Sequence, residues 1–137
     1  MSEVVFRSKD QNRHHPQGKL CHHFHEHRLT CDEYDRLKER AAGCCEICGT
    51  PEAETGGRRL VVDHFEGRLF RLVRGLLCDR CNSVMSCIDG TKRWGANRRW
   101  EARARQYEAA SWHQPTSGQR ALIVAQQAAQ SARVYRR

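Results

Sequence analysis

Hydrophobic positions in this chain fall into short stretches with two different periods. Between residues 31 and 42, Tyr34, Leu37 and Ala41 recur at i, i+3 and i+7, the spacing of one buried helix face. Thr30 and Glu33 stand where a capping box closes a helix N-terminus, and Gly43 where a helix stops, so a helix from Cys31 to Ala42 is predicted. Leu60 to Phe65 and Leu69 to Leu77 are apolar, β-branched runs around the turn-forming Glu66-Gly67, which reads as a two-stranded hairpin. Val84, Met85 and Ile88 then return to helical spacing and Gly90 closes the segment, so the expected local order is strand, strand, helix.

Two further helices are expected. One is capped by Asn97, turns Trp100, Ala104, Tyr107 and Ser111 inward, and ends before Pro115 and Gly118. The other runs from about Gln119 to Tyr135 with a weak apolar stripe through Leu122, Ala125, Ala129 and Ala132. The first twenty residues are polar and aperiodic, which reads as an arm. The expected organisation is thus an arm at 1–27, a domain at 28–113 (a helix at 28–43, a core at 44–90, a basic helix at 91–113) and a C-terminal helix at 114–137. The fold class is α+β, mostly helical by residue count.

Composition changes this picture in one respect. Apolar residues make up 39% of the 137 positions, so the core is thin and a staple is expected. Eight cysteines can supply it, as disulfides or as metal ligands. The opening MSEVVFRSKDQNRHH has no apolar core of the length export needs, and no stretch approaches a membrane span. The expectation is therefore a reduced, cytoplasmic protein that is not secreted and has no membrane partner.

Cys45-x-x-Cys48 and Cys78-x-x-Cys81 have the spacing of two zinc knuckles, and the intervening hairpin returns the chain to bring them onto one Zn²⁺. The bland alternative is buried cysteines or two disulfides, and Cys44 competes with Cys45 for the first position. Cys21, His22, His23, His25, His27 and Cys31 crowd ligand types together without a knuckle spacing, either as a second metal site or as a polar segment before the helix.

A net charge of +8 favours a polyanionic partner, DNA first, over solubility alone as the reason for so many arginines. Phosphodiester hydrolysis needs a base for water and a cation for developing charge. Asp63, His64 and Asn82 are the candidates: Asp63 and Asn82 as oxygen ligands for Mg²⁺ or Mn²⁺, His64 as general base. Taken alone, an Asp-His pair is more often a turn or a surface hydrogen bond, and its position relative to the knuckles is what singles it out. Arg74, just before the second knuckle, is expected to reach phosphate or else to be a solvated strand residue. Lys92, Arg93, Arg98, Arg99 and Arg103, interleaved with Trp94 and Trp100, form a candidate DNA arm in which a tryptophan stacks on a base or else joins the core.

LVVDH followed by VRGLLCDRCN, set between two CxxC knuckles and preceded by RLTCDEYDRL, resembles the phage recombination endonuclease VII family of HNH, or His-Me finger, nucleases over roughly residues 28–90. The resemblance implies a structural Cys₄ zinc on Cys45, Cys48, Cys78 and Cys81, and a ββα-metal site. It gives Asp63 and Asn82 the metal and His64 the proton. It also implies magnesium-dependent cleavage and, for many members, a homodimer that cuts branched DNA. Members commonly read DHDH or DHxH before a threonine and glycine. Here Phe65 and Glu66 follow His64, leaving Glu66 where a second histidine is expected, and Met85 stands at a helix position that is acidic in some relatives. The competing readings are a non-catalytic zinc-binding DNA-binding or adaptor module, which has no need of Asp63 beside His64, and a small interaction protein pairing through its C-terminal helices.

Overall fold

The computed structural model describes residues 29–56 and 59–136. The expected arm, and the cysteine- and histidine-rich tract except Cys31, lie outside the described residues. The chain divides into two compact units, one ending at Ala42 and the other beginning at Gly43. This division differs from the expected boundaries: the C-terminal helix belongs to the same unit as the hairpin.

In the first unit, α1 spans Cys31–Ala41. Its capping box is formed, with Glu33 N–H donating to Thr30 Oγ1 at 3.1 Å and Thr30 N–H to Glu33 Oε1 at 3.0 Å. Ala42, at φ 54°, takes the left-handed cap position ahead of Gly43. Cys31, Tyr34, Leu37 and Ala41 are the buried face, as the periodicity predicts.

The second unit opens with a loop closed by a bridge between Cys44 and Pro51 and a 3-10 turn at Glu52–Glu54. The strands β1, Val61–Glu66, and β2, Arg71–Leu77, then pair antiparallel. After them come α2 (Asp79–Ile88), a 3-10 segment at Gly95–Trp100, α3 (Glu101–Ala109) and α4 (Ser117–Tyr135). The result is a mixed fold with one two-stranded sheet, and strand, strand, helix is its central order. No helix among the described residues is long and apolar enough to cross a membrane.

The hairpin is not regular. Asp63 pairs with Gly75 and His64 with Val73, which leaves Arg74 as an extra residue on β2. Such a bulge breaks the in-out alternation, and five consecutive residues, Val73 to Leu77, are buried. It also frees backbone groups for partners outside the sheet: the Arg74 carbonyl accepts from Trp112 N–H at 3.0 Å, and the Val73 carbonyl from His113 N–H at 2.9 Å. The core is built on this hairpin from Phe65, Val73, Leu76 and Leu77, with Val84, Met85 and Ile88 of α2 and Ala104 and Tyr107 of α3.

Two expectations are corrected. Asn97 does not cap a helix; it lies within the 3-10 segment and its amide donates to Cys87 Sγ at 3.6 Å. In α4 the predicted apolar stripe faces outward, since Leu122, Ala125, Ala129 and Ala132 are all exposed and Ile123 is the buried residue. Glutamines attach this helix instead. Gln126 donates to the Glu66 carbonyl at 2.8 Å, Gln130 to the Asp89 carbonyl at 2.6 Å, and Gln127 to Asp89 Oδ1 at 3.1 Å. Gly90, at φ +82°, lets α4 approach: a Cβ there would stand 2.5 Å from the Gln127 carbonyl oxygen.

Candidate active site and its four-cysteine anchor

The knuckles close on each other. Gly49 N–H donates to the Cys45 carbonyl at 2.9 Å in the first, and Asn82 N–H to the Cys78 carbonyl at 2.9 Å as α2 begins. The first knuckle is sewn to the end of β2, with Glu46 N–H on the Leu76 carbonyl at 3.0 Å and Leu76 N–H on Glu46 Oε2 at 2.8 Å. Cys45, Cys48, Cys78 and Cys81 thereby bring their sulfurs within 4.8 Å of one another. Cys45, not Cys44, is in the cluster.

Cys48 Sγ lies 3.8 Å from Cys78 Sγ. Sulfurs bonded to one zinc at about 2.3 Å in a tetrahedron are about 3.8 Å apart, so the donor set fits zinc. Protons are shared unevenly among these sulfurs. The hydrogen bond from Cys81 holds Cys45 down at about 4, while the same bond and burial push Cys81 up. A thiolate is therefore already favoured at Cys45, and thiolates are what zinc requires.

Asp63 is turned inward. Arg74 Nε donates to its Oδ2 at 2.7 Å and Arg74 Nη2 to its Oδ1 at 3.1 Å, and the Tyr107 hydroxyl donates to Oδ2 at 2.8 Å. Arg74 also reaches both oxygens of Asp89 at 2.9 Å. Burial pulls the guanidinium down, but the hydrogen bonds and charges of Asp89 and Asp63 outweigh it and hold Arg74 above its ordinary value. The expectation that Arg74 reaches phosphate is thus corrected, because its side chain is 3% exposed and locked between two carboxylates. Tyr107 is pushed well above its ordinary value, by burial first and by the Asp63 charge second.

Zinc fits its cysteines, but a hard cation does not fit Asp63 as it stands. Both carboxylate oxygens are occupied, a buried guanidinium is in direct contact, and Asn82 is exposed on α2 with no hydrogen bond to Asp63 or His64. Among the described residues the four cysteines form the one group of three or more His, Cys, Asp or Glu ligands close enough to share an ion.

His64 belongs to the other face of the sheet. Its Nε2 lies 3.0 Å from Glu66 Oε1, two residues along β1 and so on the same side. Arg71, paired with Glu66 in register, donates to the same oxygen through Nε at 2.9 Å. Nδ1 faces inward, so Nε2 is the ring nitrogen at the surface. Sequence reasoning placed Glu66 only as the stand-in for an absent histidine; its alternation with His64 was the available signal that the two meet.

The basic arm sorts by partner. Arg98 pairs with Glu101 at 3.1 Å and lies over Trp94, Arg93 lies over Tyr135, and Lys92 bonds Ser83 Oγ. Arg99 and Arg103 lie over the ring of Trp100, as does Arg80 from α2. Trp100 is half-buried and its Nε1 has no hydrogen-bond partner among the described residues. The ring is held by packing and by cations.

No curated protein and no solved structure matches this chain. The model of the recombination endonuclease VII family, a nuclease family, does match, over residues 19–97. That segment is more than half of the chain and contains the hairpin, both knuckles and α2, and the protein belongs to the recombination endonuclease VII family.

Proposed function

We propose that this protein is a DNA endonuclease of the His-Me finger type, hydrolysing phosphodiester bonds with His64 as general base. The observation that carries the reading is the His64–Glu66 pair at 3.0 Å on the outer face of a hairpin that the four cysteines anchor. A half-buried imidazole with one nitrogen at the surface and a carboxylate beside it is suited to proton transfer near neutral pH. With its proton on Nδ1 and the ring turned off Glu66, His64 takes the proton of water at Nε2 as the water oxygen attacks phosphorus, the bond to the leaving oxygen breaks and that oxygen takes a proton from solvent. Nε2–H then faces Glu66, whose charge steadies the imidazolium, and Arg71 keeps the carboxylate in place.

Zinc, when bound to Cys45, Cys48, Cys78 and Cys81, supplies folding free energy and no chemistry. Dependence on Mg²⁺ or Mn²⁺ through Asp63 and Asn82 is the family expectation. It does not fit the Asp63 geometry described above. Branched DNA such as a four-way junction, cut by a homodimer, is the substrate the resemblance favours.

The test is incubation of purified protein with supercoiled plasmid and with a synthetic four-way junction. Mg²⁺ or Mn²⁺ is added or omitted, and His64→Ala is run alongside. Cleavage lost in the variant, with zinc content and circular dichroism unchanged, supports the nuclease; equal cleavage by the variant removes His64 from the mechanism. A second reading, a zinc-binding DNA-binding module without catalysis, is favoured by the occupied Asp63 and by the buried Met85. DNA bound but left intact under every condition selects it.

A further inference from the structure

We propose that Arg80, Arg99 and Arg103, gathered over the ring of Trp100, form a phosphate clamp for the backbone of duplex DNA, tied to the four-cysteine cluster through Arg80. The inference rests on the DNA-binding part of the reading above and is independent of cleavage. It starts from a difference among the arginines of one short segment. Arg98 and Arg105 are matched by acids, Arg98 by Glu101 at 3.1 Å and Arg105 by Glu101 and Glu108 at 3.7 and 3.5 Å. Arg80, Arg99 and Arg103 have no carboxylate partner among the described residues. Their guanidinium carbons lie 4.7, 5.6 and 5.3 Å from the centroid of Trp100, and all three residues are exposed.

Stacking on an indole engages the flat face of a guanidinium and leaves its N–H edge free, and that edge matches phosphate oxygens. Arg99 and Arg103 are like charges with no acid between them, so the pair is unbalanced in the direction of a polyanion, while Arg80 beside the cysteine cluster is partly compensated by its thiolates. The indole limits the rotamers of three long side chains, which lowers the ordering cost when phosphate binds. With three guanidinium carbons within 5.6 Å of the ring centroid, a nucleobase stacking on Trp100 competes with arginines for the indole.

Arg80 adds a connection. It sits between Asp79 and Cys81 at the second knuckle, next in sequence to a cysteine of the cluster. The clamp is therefore fastened to the helix that carries the second knuckle.

The test measures binding of a fluorescent duplex by anisotropy over a range of salt, on the full chain loaded with zinc. Each phosphate contact contributes about 0.9 to the slope of log K against log salt. Arg99→Ala with Arg103→Ala is expected to flatten that slope by about 2 and Arg80→Gln, whose charge the cluster thiolates partly match, by less than about 1, while Arg98→Ala, whose charge is matched by Glu101, changes it little. Zinc content is read for every variant, and the exposed Arg99 and Arg103 pair keeps the test valid if Arg80→Gln loses metal. Slopes unchanged in the Arg99/Arg103 variant overturn the clamp, as does a wild-type protein that binds duplex with no salt dependence. Tighter binding to single strands with quenched Trp100 fluorescence overturns it in favour of base stacking. A flattened slope in a protein that cuts no DNA supports the clamp while the nuclease reading falls.

Discussion

Arg74 grips Asp63 through two hydrogen bonds, 2.7 Å from Nε and 3.1 Å from Nη2, and it does so from the bulge position of β2. The same guanidinium reaches Asp89 beyond α2, so one positive side chain is shared by two carboxylates. Removing one member of a buried ion cluster costs more than the cluster itself contributes, because uncompensated charge remains. Arg74→Met is expected to lower unfolding free energy by about 3–5 kcal/mol, and adding Asp63→Asn should recover part of the loss. Urea denaturation of the two variants measures both values. A single variant as stable as wild type would mean that the two acids find other partners.

Tyr107 makes the fold sensitive to alkali. Its folded value lies above the ordinary 10.0 because it is buried and faces Asp63. A proton held more tightly by the native state stabilises it below the unfolded value, and that contribution is lost as pH rises through the folded value. Stability should therefore fall above about pH 10 more steeply in wild type than in Tyr107→Phe. At neutral pH the variant lacks a hydrogen bond to a charged acceptor and should be weaker by about 1.5–3 kcal/mol. Urea titrations at pH 7 to 11 give both numbers; parallel curves would remove Tyr107 from the alkaline limb.

Zinc should be present at one ion per chain, and its removal by a strong chelator should unfold the hairpin and α2 together, because the knuckles flank the hairpin and the second one starts α2. Zinc assay alongside far-ultraviolet circular dichroism follows this. Cys81→Ser should express as an unfolded or aggregated chain. A chelated protein with unchanged helicity and melting point would show that the four thiols suffice without metal.

Gly90→Ala tests how closely α4 docks. The added Cβ would lie 2.5 Å from the Gln127 carbonyl oxygen and 2.6 Å from the Ser131 nitrogen, at a φ of +82° that alanine tolerates poorly. A loss of about 1–3 kcal/mol is expected, with faster amide exchange concentrated in Ser117–Tyr135. Exchange that is unchanged there would mean that the glutamine contacts re-form after a small shift.

Glu66→Gln should leave stability within about 0.5 kcal/mol, since the side chain is on the surface. Cleavage should fall by about ten- to a hundred-fold, because a neutral amide steadies the His64 imidazolium less well. Single-turnover rates decide it, and a variant with the wild-type rate would leave Glu66 no part in the reaction.

The elements were legible because each carries a local signal. Thr30 with Glu33 marks the start of α1, Val84, Met85 and Ile88 mark the face of α2, and paired CxxC spacing marks the metal cluster. What periodicity cannot carry is a partner far along the chain. Tyr107 reaches Asp63 across forty-four positions, and neither residue has a neighbour that announces the other. The inserted Arg74 reads as an ordinary strand residue until the register is known. The docking face of α4 was misjudged for a related reason: apolar stripes report burial, whereas this helix is attached by amides bonding carbonyl oxygens, and glutamine also favours exposed helix faces.

The family segment ends at residue 97, yet the interior of the hairpin is completed from beyond it. Tyr107 supplies the hydroxyl on Asp63, Trp112 and His113 occupy the carbonyls at the bulge, and Gln127 and Gln130 close over Asp89. A fragment cut at the end of the segment would open the buried Asp63 and the half-buried Asp89 to water and release the bulged strand. The smallest autonomous folding unit is accordingly longer than the stretch by which the family is recognised. Any chimera that transplants this nuclease motif needs the chain through at least Gln130.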